Sequence, residues 1–204
     1  FNRTVTPDTV REMRGILYHV IVAPEYEPEA LELLTKRKQA RVLQVEPEDG
    51  PIAGFDIKRV SGGALVQTMD RIDEQSSSWK IVTKRKPTKA QITDLEIAWR
   101  ITKHIKSNTI VLAKQGALVG VGMGQPNRLN SIHLALRTAS AKSQGSVMAS
   151  DAFMPFADNV ELSAKGGIKA IVQPGGSLRD EEVIESADFH NIAMVFSGVR
   201  HFKH

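Results

Sequence analysis

Residues 109–128 read TIVLAKQGALVGVGMGQPNR, and this stretch decides the fold of the C-terminal part of the chain. Two runs rich in β-branched residues, 109–113 and 117–121, are separated by Lys114-Gln115-Gly116. A gap this short that contains glycine predicts an antiparallel hairpin. A glycine-rich segment then leads into a predicted helix over 127–143, so the hairpin is followed directly by a strand-to-helix connection.

Helices and strands are predicted on both sides of this hairpin. Upstream, Thr88 and Gln91 have the spacing of a capping box for a helix that extends to about residue 106. Downstream, three strands alternate with two helices, in the order 147–149, 159–165, 168–172, 178–191 and 192–196. This order predicts an α/β fold: a three-layer α/β/α sandwich with a mixed sheet, the hairpin at one side and parallel strands at the other.

The N-terminal part predicts a separate β-α-β unit with parallel strands. Its predicted elements are a helix over 6–16, a buried strand over 16–23, a helix over 27–38 and a strand over 41–45. Residues 46–78 are polar and rich in turn formers, with one short strand over 63–67. We therefore divide the chain into a first lobe, 1–48, a connector, 49–87, and a second lobe, 88–204.

The composition excludes several classes of protein. The 204 residues carry a net charge of only +4, and the basic runs 36–38 and 84–86 have few aromatic neighbours, so no nucleic-acid surface is predicted. The chain has no cysteine, which excludes disulfides, thiolate zinc sites and cysteine nucleophiles. No apolar run approaches the roughly 20 residues that span a bilayer, and no signal-peptide pattern follows Phe1. We therefore expect a cytoplasmic protein with no membrane partner.

The glycine-rich segment Gly120-Val-Gly-Met-Gly-Gln125-Pro-Asn-Arg128 is the first candidate for chemistry. Three glycines between a strand and a helix allow a ligand to approach the backbone, and a helix start favours an anion. The spacing lacks the third glycine of the dinucleotide fingerprint. Glycines in a tight turn are the alternative, but Gln125 and Arg128 follow at once, which favours ligand contact.

Three further segments lie where predicted strands end. Ser150 and Asp151 come at the carboxyl end of a strand, and the aromatic residues after them either line a pocket for a planar ring or belong to the core. The segment 173–177, QPGGS, offers amides at a helix start, although acidic residues follow and favour a structural turn. The basic tail 200–204 is either disordered or tucked into the sheet edge.

Together these motifs resemble one family, the bifunctional purine biosynthesis protein, which joins AICAR transformylase to IMP cyclohydrolase. The resemblance is carried by the following segments: 107–111 SNTIV, 113–116 AKQG, 120–125 GVGMGQ, 150–156 SDAFMPF, 173–182 QPGGSLRDEE and 198–204 GVRHFKH. It implies the end of a first transformylase lobe and a whole second lobe, cytidine-deaminase-like but without zinc. It also implies transfer of a formyl group from 10-formyltetrahydrofolate to AICAR (5-aminoimidazole-4-carboxamide ribonucleotide) in a cytoplasmic homodimer.

The resemblance also implies roles for individual residues. Asn108 would orient the reacting amine of AICAR, Phe153 would pack on its aminoimidazole ring, and Arg200 would contact its phosphate. Arg128 would be a second nucleotide contact. The remaining substrate-binding positions are Gly124 and Gln125. The implied folate-binding positions are Leu129, Pro155, Phe156, Asp158 and Asn159. The positions implied to lie near a potassium ion in some members are Asp151 and His204.

The chain departs from the family pattern in ways that bear on activity. The Lys-His pair whose His is the implied base for the amine lies upstream in the family and is not present here, and neither is the cyclohydrolase domain. Met123 and Met154 stand where the family usually has Ala and Phe. We therefore predict that the 204-residue chain alone has no measurable formyl transfer. The alternative is a non-catalytic lobe that binds nucleotide or folate; a zinc deaminase is excluded by the absence of cysteine.

Overall fold

The computed structural model describes residues 1–37, 39–46, 54–72 and 74–203, and these divide into two compact units, Phe1–Met69 and Asp70–His204. The predicted connector, 49–87, therefore falls partly in each unit, and its residues 49–53 and 73 lie outside the described residues. None of the described helices is long and apolar enough to cross a membrane.

The first unit contains the predicted β-α-β arrangement. Its elements are α1 Pro7–Glu12, β1 Val20–Ala23, α2 Pro28–Thr35 and β2 Arg41–Gln44, and the two strands pair in parallel as predicted. The predicted strand over 16–23 was too long. Ile16 and Leu17 are exposed, and β1 buries only alternate residues because it belongs to a two-stranded sheet with one covered face.

A β-hairpin completes the first unit. The strands β3 Phe55–Val60 and β4 Gly63–Thr68 pair antiparallel, and every residue of both is exposed. The sequence predicted only the second of them. The first four residues of β3, Phe55-Asp-Ile-Lys58, alternate apolar and polar, and this short alternation was the signal that could have identified it.

The second unit is an α/β structure built on a mixed six-stranded sheet. Its helices are α3 Lys89–Thr102, α4 Arg128–Ala139, α5 Asp158–Lys165 and α6 Asp180–Phe189. Its strands are β5 Lys80–Ile81, β6 Ile110–Lys114, β7 Ala117–Gly122, β8 Val147–Ser150, β9 Ala170–Gln173 and β10 Ala193–Phe196. The strand order is β5-β10-β9-β8-β6-β7, with β8, β9 and β10 parallel and the other pairings antiparallel.

Strand residues alternate between two hydrophobic clusters. One cluster combines Leu112, Met148 and Ile171 with apolar residues of α4, α5 and α6. The other combines Val111 and Ala149 with apolar residues of α3, among them Trp99, and with Trp79, which precedes β5. Because successive residues of a strand point to opposite faces, the buried strands β6, β8, β9 and β10 are apolar throughout.

The elements that were predicted correctly are those with hydrogen bonds between residues close in sequence. The capping box of α3 is present: the Thr88 hydroxyl accepts from the Gln91 amide, and the Gln91 side chain accepts from the Thr88 amide. The β6–β7 hairpin turns at Gln115-Gly116, both with positive φ, and the Asp94 carboxylate accepts from both amides. The two-residue strand β5 was not predicted, because so short a segment carries no periodicity.

Candidate functional site

Five chain segments meet at one edge of the six-stranded sheet. The parallel strands β8, β9 and β10 all end there, and the antiparallel register places the start of β6 and the end of β7 at the same edge. The segments that meet are 107–109, 122–128, 151–156, 173–177 and 197–203. This edge carries most of the residues that the sequence pointed to, and the carboxyl edge of parallel strands is a usual place for a ligand.

Both the nitrogen and the oxygen of the Asn108 side-chain amide are hydrogen-bonded within the chain. Its Nδ2 donates to the Gln125 carbonyl at 2.9 Å, and its Oδ1 accepts from the Arg128 guanidinium at 2.9 Å. The Ser131 hydroxyl donates to the Asn108 carbonyl at 2.8 Å. An amide has two N–H donors and two acceptor lone pairs, so Asn108 keeps one donor and one acceptor position beyond these contacts in a fixed orientation.

Arg128 and Asp151 form a buried ion pair. Arg128 Nη2 lies 2.8 Å from Asp151 Oδ1, and the two side chains are 8% and 0% exposed. Arg128 Nη1 also donates to the Phe153 carbonyl at 3.1 Å, and the Ser107 hydroxyl donates to Asp151 Oδ2 at 2.5 Å. The Arg128 guanidinium therefore joins three of the five segments. The resemblance implied that Arg128 contacts the nucleotide, whereas the contacts observed here are all to groups of this chain.

The glycine-rich segment serves two purposes. At Gly120 an added Cβ would lie 2.4 Å from the Ala135 carbonyl oxygen, and at Gly122 it would lie 1.8 Å from that of Ser131. The expectation that these two glycines admit a ligand was wrong, because they let α4 pack closely on β7. Gly124 differs: it is exposed, has a φ of +65° and has nothing near its missing Cβ, so it remains accessible beside Gln125.

The aromatic segment after β8 divides between core and edge. Met154, which stands where the family usually has Phe, is fully buried in a hydrophobic cluster. Phe153 is half-buried, and the Arg200 guanidinium carbon lies 4.8 Å from its ring centroid. Phe156 is 46% exposed, with the Arg179 guanidinium carbon 4.8 Å from its ring centroid. Neither phenylalanine belongs to the buried clusters, so the core alternative is wrong for both, and the pocket for a planar ring stays a prediction.

The predicted folate positions lie around the start of α5 and α4. Pro155 and Leu129 are half-buried, and Asp158 is exposed at the first residue of α5, where it makes no capping bond to a backbone amide. Asn159 is 2% exposed and donates to the Asp158 carboxylate at 2.7 Å. Its Oδ1 has no hydrogen-bond partner among the described residues, which leaves a buried acceptor at this position.

The QPGGS segment is a structural turn. The amides of Gly176 and Ser177 donate to the Asp180 carboxylate at 2.7 and 3.2 Å. An anion would need these same amides, so the helix start of α6 is already occupied by a side chain of its own. The sequence favoured this interpretation, and the hydrogen bonds confirm it.

The C-terminal segment packs into the sheet edge rather than extending away from it. The His201 amide donates to the Asp151 carbonyl at 3.0 Å, and the Ser107 amide donates to the Lys203 carbonyl at 2.9 Å. Arg200 is exposed, and its guanidinium lies over the Phe153 ring. One of its terminal nitrogens, Nη2, lies 3.9 Å from the position that a Cβ on Gly176 would occupy. Of the two alternatives for the tail, the described part adopts the packed one.

No role was predicted for His201, the first histidine of this tail. His201 is 1% exposed, and its ring nitrogens face the carboxylates of Asp70 and Glu74. The pairing joins residues 131 positions apart, so no local signal could have found it. Burial lowers the pKa of His104, which follows α3, below its ordinary value; the charges of Lys103 and Lys203 act in the same direction, and Asp70 opposes them.

The carboxylate of Asp151, one of the two positions implied to lie near potassium, is already paired within the chain. Its Oδ1 pairs with the Arg128 guanidinium and its Oδ2 accepts from Ser107, so a cation at this carboxylate would share oxygens that the chain already uses. His204 lies outside the described residues. Among the described residues, no group of three or more acidic or histidine side chains is arranged to hold a metal ion.

Comparisons with known proteins show which family this chain resembles. A family model described as the AICARFT/IMPCHase bienzyme matches residues 1–138. Proteins named bifunctional purine biosynthesis protein PurH match the whole chain: 49% identity over 203 residues in Thermoanaerobacter sp. (strain X514), 50% over 203 in Halalkalibacterium halodurans and 46% over 212 in Dictyostelium discoideum. The chain spans 40%, 40% and 39% of these three relatives.

Among solved structures, the cyanophage S-TIM5 dCMP deaminase aligns at 16% identity over 52% of this chain and 98% of its own, with a TM-score of 0.38. Acinetobacter baumannii RibD aligns at 19% identity over 50% of this chain and 32% of its own, with a TM-score of 0.36. These scores are too low to assign a fold. The family match and the relatives agree with the six motifs, and the chain belongs to the AICARFT/IMPCHase bienzyme family.

Proposed function

We propose that this chain forms part of an AICAR formyltransferase, which transfers a formyl group from 10-formyltetrahydrofolate to AICAR in purine biosynthesis. The observation that carries the proposal is the grouping of Asn108, Phe153 and Arg200 at one sheet edge in a member of this family. The whole protein would also act as an IMP cyclohydrolase, through a domain outside this chain. Its partners would be AICAR, the folate, the remainder of the transformylase domain and a second copy in a cytoplasmic homodimer.

In this reaction the 5-amino nitrogen of AICAR attacks the formyl carbon, a new C–N bond forms and the bond from that carbon to folate N10 breaks. The amine loses one proton and N10 gains one. Because an aromatic amine is a weak nucleophile, its orientation contributes much of the rate. Asn108 is suited to this task, since its amide is fixed by the Gln125 carbonyl and Arg128 and keeps one donor and one acceptor position.

Binding would divide between two regions of the edge. AICAR would lie between Phe153, for its ring, and Arg200, for its phosphate, with Gly124 and Gln125 beside it. The folate would lie toward exposed Phe156, with the residues at the starts of α4 and α5 around it: Leu129, Pro155, Asp158 and Asn159. The unpaired Oδ1 of Asn159 is a candidate acceptor for a folate N–H.

We infer that the second unit is a three-layer, cytidine-deaminase-like lobe without zinc. The two hydrophobic clusters, one with α3 and one with α4, α5 and α6, support the layer order. The absence of cysteine supports a lobe without the zinc ligands of deaminases. In the transformylase this unit would follow the end of a first lobe of the same kind, represented here by the first unit.

The base for the amine would come from outside this chain. His201 is buried and faces a carboxylate at each ring nitrogen, so its ring is not available to substrate. This observation also favours the second candidate function, a lobe that binds AICAR or folate and does no chemistry. The two candidates differ in whether the chain supports turnover once the upstream part is supplied.

A chimera separates the two candidates. In it, this chain replaces the corresponding 40% of the Thermoanaerobacter relative, so that the upstream part is present. We expect formyl transfer by the chimera, loss of about a hundredfold or more in kcat with Asn108→Ala because an orienting group is removed, and none by the 204-residue chain alone. A folded chimera that binds AICAR without turnover would favour the binding lobe.

Binding to the chain itself is measured by two-dimensional NMR titration with AICAR and, separately, with a non-reactive 10-formyl folate analogue. We expect AICAR to shift the amide signals of residues 108, 153 and 200, and Phe153→Leu to weaken that response. Leu118→Ala is the matched control, since Leu118 is exposed on β7 near the hairpin turn. If neither ligand shifts any signal of this edge in the chain or in the chimera, the proposed function is wrong.

A further inference from the structure

The C-terminal segment is fastened by a buried histidine that lies between two acidic side chains. His201 Nδ1 lies 2.7 Å from Asp70 Oδ2, and His201 Nε2 lies 3.4 Å from Glu74 Oε1. The His201 side chain is 2% exposed, against 27% for Asp70 and 11% for Glu74. We call these three residues the His201 clasp.

The members of the His201 clasp have further partners in the fold. The Trp99 indole N–H donates to Glu74 Oε1 at 2.6 Å, and the Trp99 ring lies 4.8 Å from the His201 ring between centroids. The His201 amide donates to the Asp151 carbonyl at 3.0 Å. The residue is thus held at its backbone, at both ring nitrogens and at one ring face, which a surface tail residue is not.

Arg200 precedes this fixed point by one residue and faces the open edge. Its guanidinium lies above the Phe153 ring, and within the described part of the chain it has no ion-pair partner. An arginine side chain loses considerable rotamer freedom when it binds an anion, and this loss is smaller when the backbone that carries it is already fixed. The clasp supplies that fixed backbone.

We propose that His201 is a positioning residue, which acts through the clasp to hold Arg200 over Phe153 so that the edge binds a planar ring carrying a phosphate. The inference rests on the proposed function, because it takes Arg200 as the phosphate contact. It adds that Asp70 and Glu74, outside the sheet-edge segments themselves, determine how well that contact is made. Asp70 and Glu74 would therefore affect the affinity for the phosphate of the ligand and not the affinity for its ring.

The first test needs no ligand. In the wild-type chain the Arg200 side-chain protons should show the ring-current shift of Phe153 by NMR, and Phe153→Leu gives the value without it. We expect His201→Phe, which keeps an aromatic ring against Trp99 but removes both nitrogens, to lose more than half of that shift. His133→Phe is the matched control, since His133 is exposed on α4 and should leave the shift unchanged.

The second test compares AICAR with its riboside, which has the same ring and sugar but no phosphate. We expect His201→Phe to weaken AICAR binding about tenfold, the scale of one well-made charged contact, and to leave riboside binding within about twofold. Arg200→Gln should give the same pattern. If His201→Phe does not fold, Asp70→Asn replaces it, because Asp70 is partly exposed and the change keeps the side-chain size.

The outcomes separate this inference from the proposed function. If AICAR and riboside bind the wild type equally, or neither binds, the proposed phosphate contact fails. If Arg200→Gln removes the preference for AICAR but His201→Phe keeps it together with the ring-current shift, the positioning role is overturned. Equal weakening of both ligands by His201→Phe would overturn it too, because a merely structural role affects ring and phosphate alike.

Discussion

The Arg128–Asp151 ion pair gives the sharpest test of how this sheet edge is held together. Arg128→Met removes the guanidinium but keeps much of the side-chain length. The Asp151 carboxylate, which is fully buried, then retains the Ser107 hydroxyl as its one side-chain donor among the described residues. The Asn108 amide and the Phe153 carbonyl each lose a donor as well.

The size of the effect follows from burial. Removing one partner of a buried pair leaves an uncompensated charge and costs about 3–5 kcal/mol. The lost hydrogen bonds to Asn108 and Phe153 add little, because both residues are half-buried and water can replace the donor. We therefore expect the free energy of unfolding to fall by about 4 kcal/mol. With an m-value of about 1.5 kcal/mol per M, the urea midpoint falls by about 2.5 M.

Tryptophan fluorescence during urea unfolding reports this change selectively. Both tryptophans, Trp79 and Trp99, are buried in the second unit, so the signal follows that unit and not the first. Arg179→Met is the matched control: its pair with Glu182 is about half exposed, and its loss should cost under about 0.5 kcal/mol.

Two further variants keep this prediction testable. Arg128→Lys retains the charge but not the forked donors, so we expect about half the loss, and it serves if Arg128→Met does not fold. Asp151→Asn leaves the guanidinium without its anion and should cost about as much as Arg128→Met. If Arg128→Met shifts the midpoint no more than the Arg179→Met control, the pair is not buried in solution and the reasoning is refuted.

Three more predictions concern single positions in the second unit. Gly122→Ala should lower the free energy of unfolding, measured by fluorescence, by at least about 3 kcal/mol, because the added Cβ would lie 1.8 Å from the α4 backbone. Gly124→Ala should lower it by only about 1 kcal/mol, because its φ of +65° is the one strain that the new side chain meets. Equal losses in the two variants would contradict the packing role of Gly122. Thr88→Ala should cost about 1 kcal/mol, because the N-cap of α3 is lost, and no change in midpoint would contradict it. Burial lowers the pKa of His104 in the folded chain, so the unfolded chain binds a proton on this imidazole more tightly than the folded chain does. The free energy of unfolding should therefore fall as the pH drops from about 6.5 through the folded-state pKa of His104. The NMR signal of the His104 ring should titrate below about pH 6.5, and a titration midpoint above that value would reverse the expected pH dependence.

The sequence predicted more of the fold than of the site, and particular residues show why. Thr88 and Gln91 are three residues apart, and the turn at Gln115-Gly116 joins adjacent strands, so both are fixed by contacts that a short window contains. Gly122 is different. Its position in a glycine-rich segment suggested a ligand, yet the group that approaches it is the backbone of α4, which only the folded chain brings there.

The site residues were found by motif, but their partners were not. Asn108, Phe153 and Arg200 occur in segments that resemble the family, and the structure brings all three to one edge. Arg128 was assigned to the nucleotide from the same kind of resemblance. Its observed contacts are a carboxylate, an amide and a carbonyl of this chain, and no pattern in the sequence specifies which of several acidic residues it meets.

The sequence by itself determined the alternation of helices and strands, the hairpin, the caps and the absence of thiolate chemistry, because these depend on periodic burial and on hydrogen bonds between near neighbours. Only the tertiary structure decided that His201 lies between Asp70 and Glu74 and that Arg128 pairs with Asp151. Both pairings depend on strand order, which brings together residues 23 and 131 positions apart. A buried charge takes whichever partner the assembled sheet places beside it, and no short window of the sequence contains both partners.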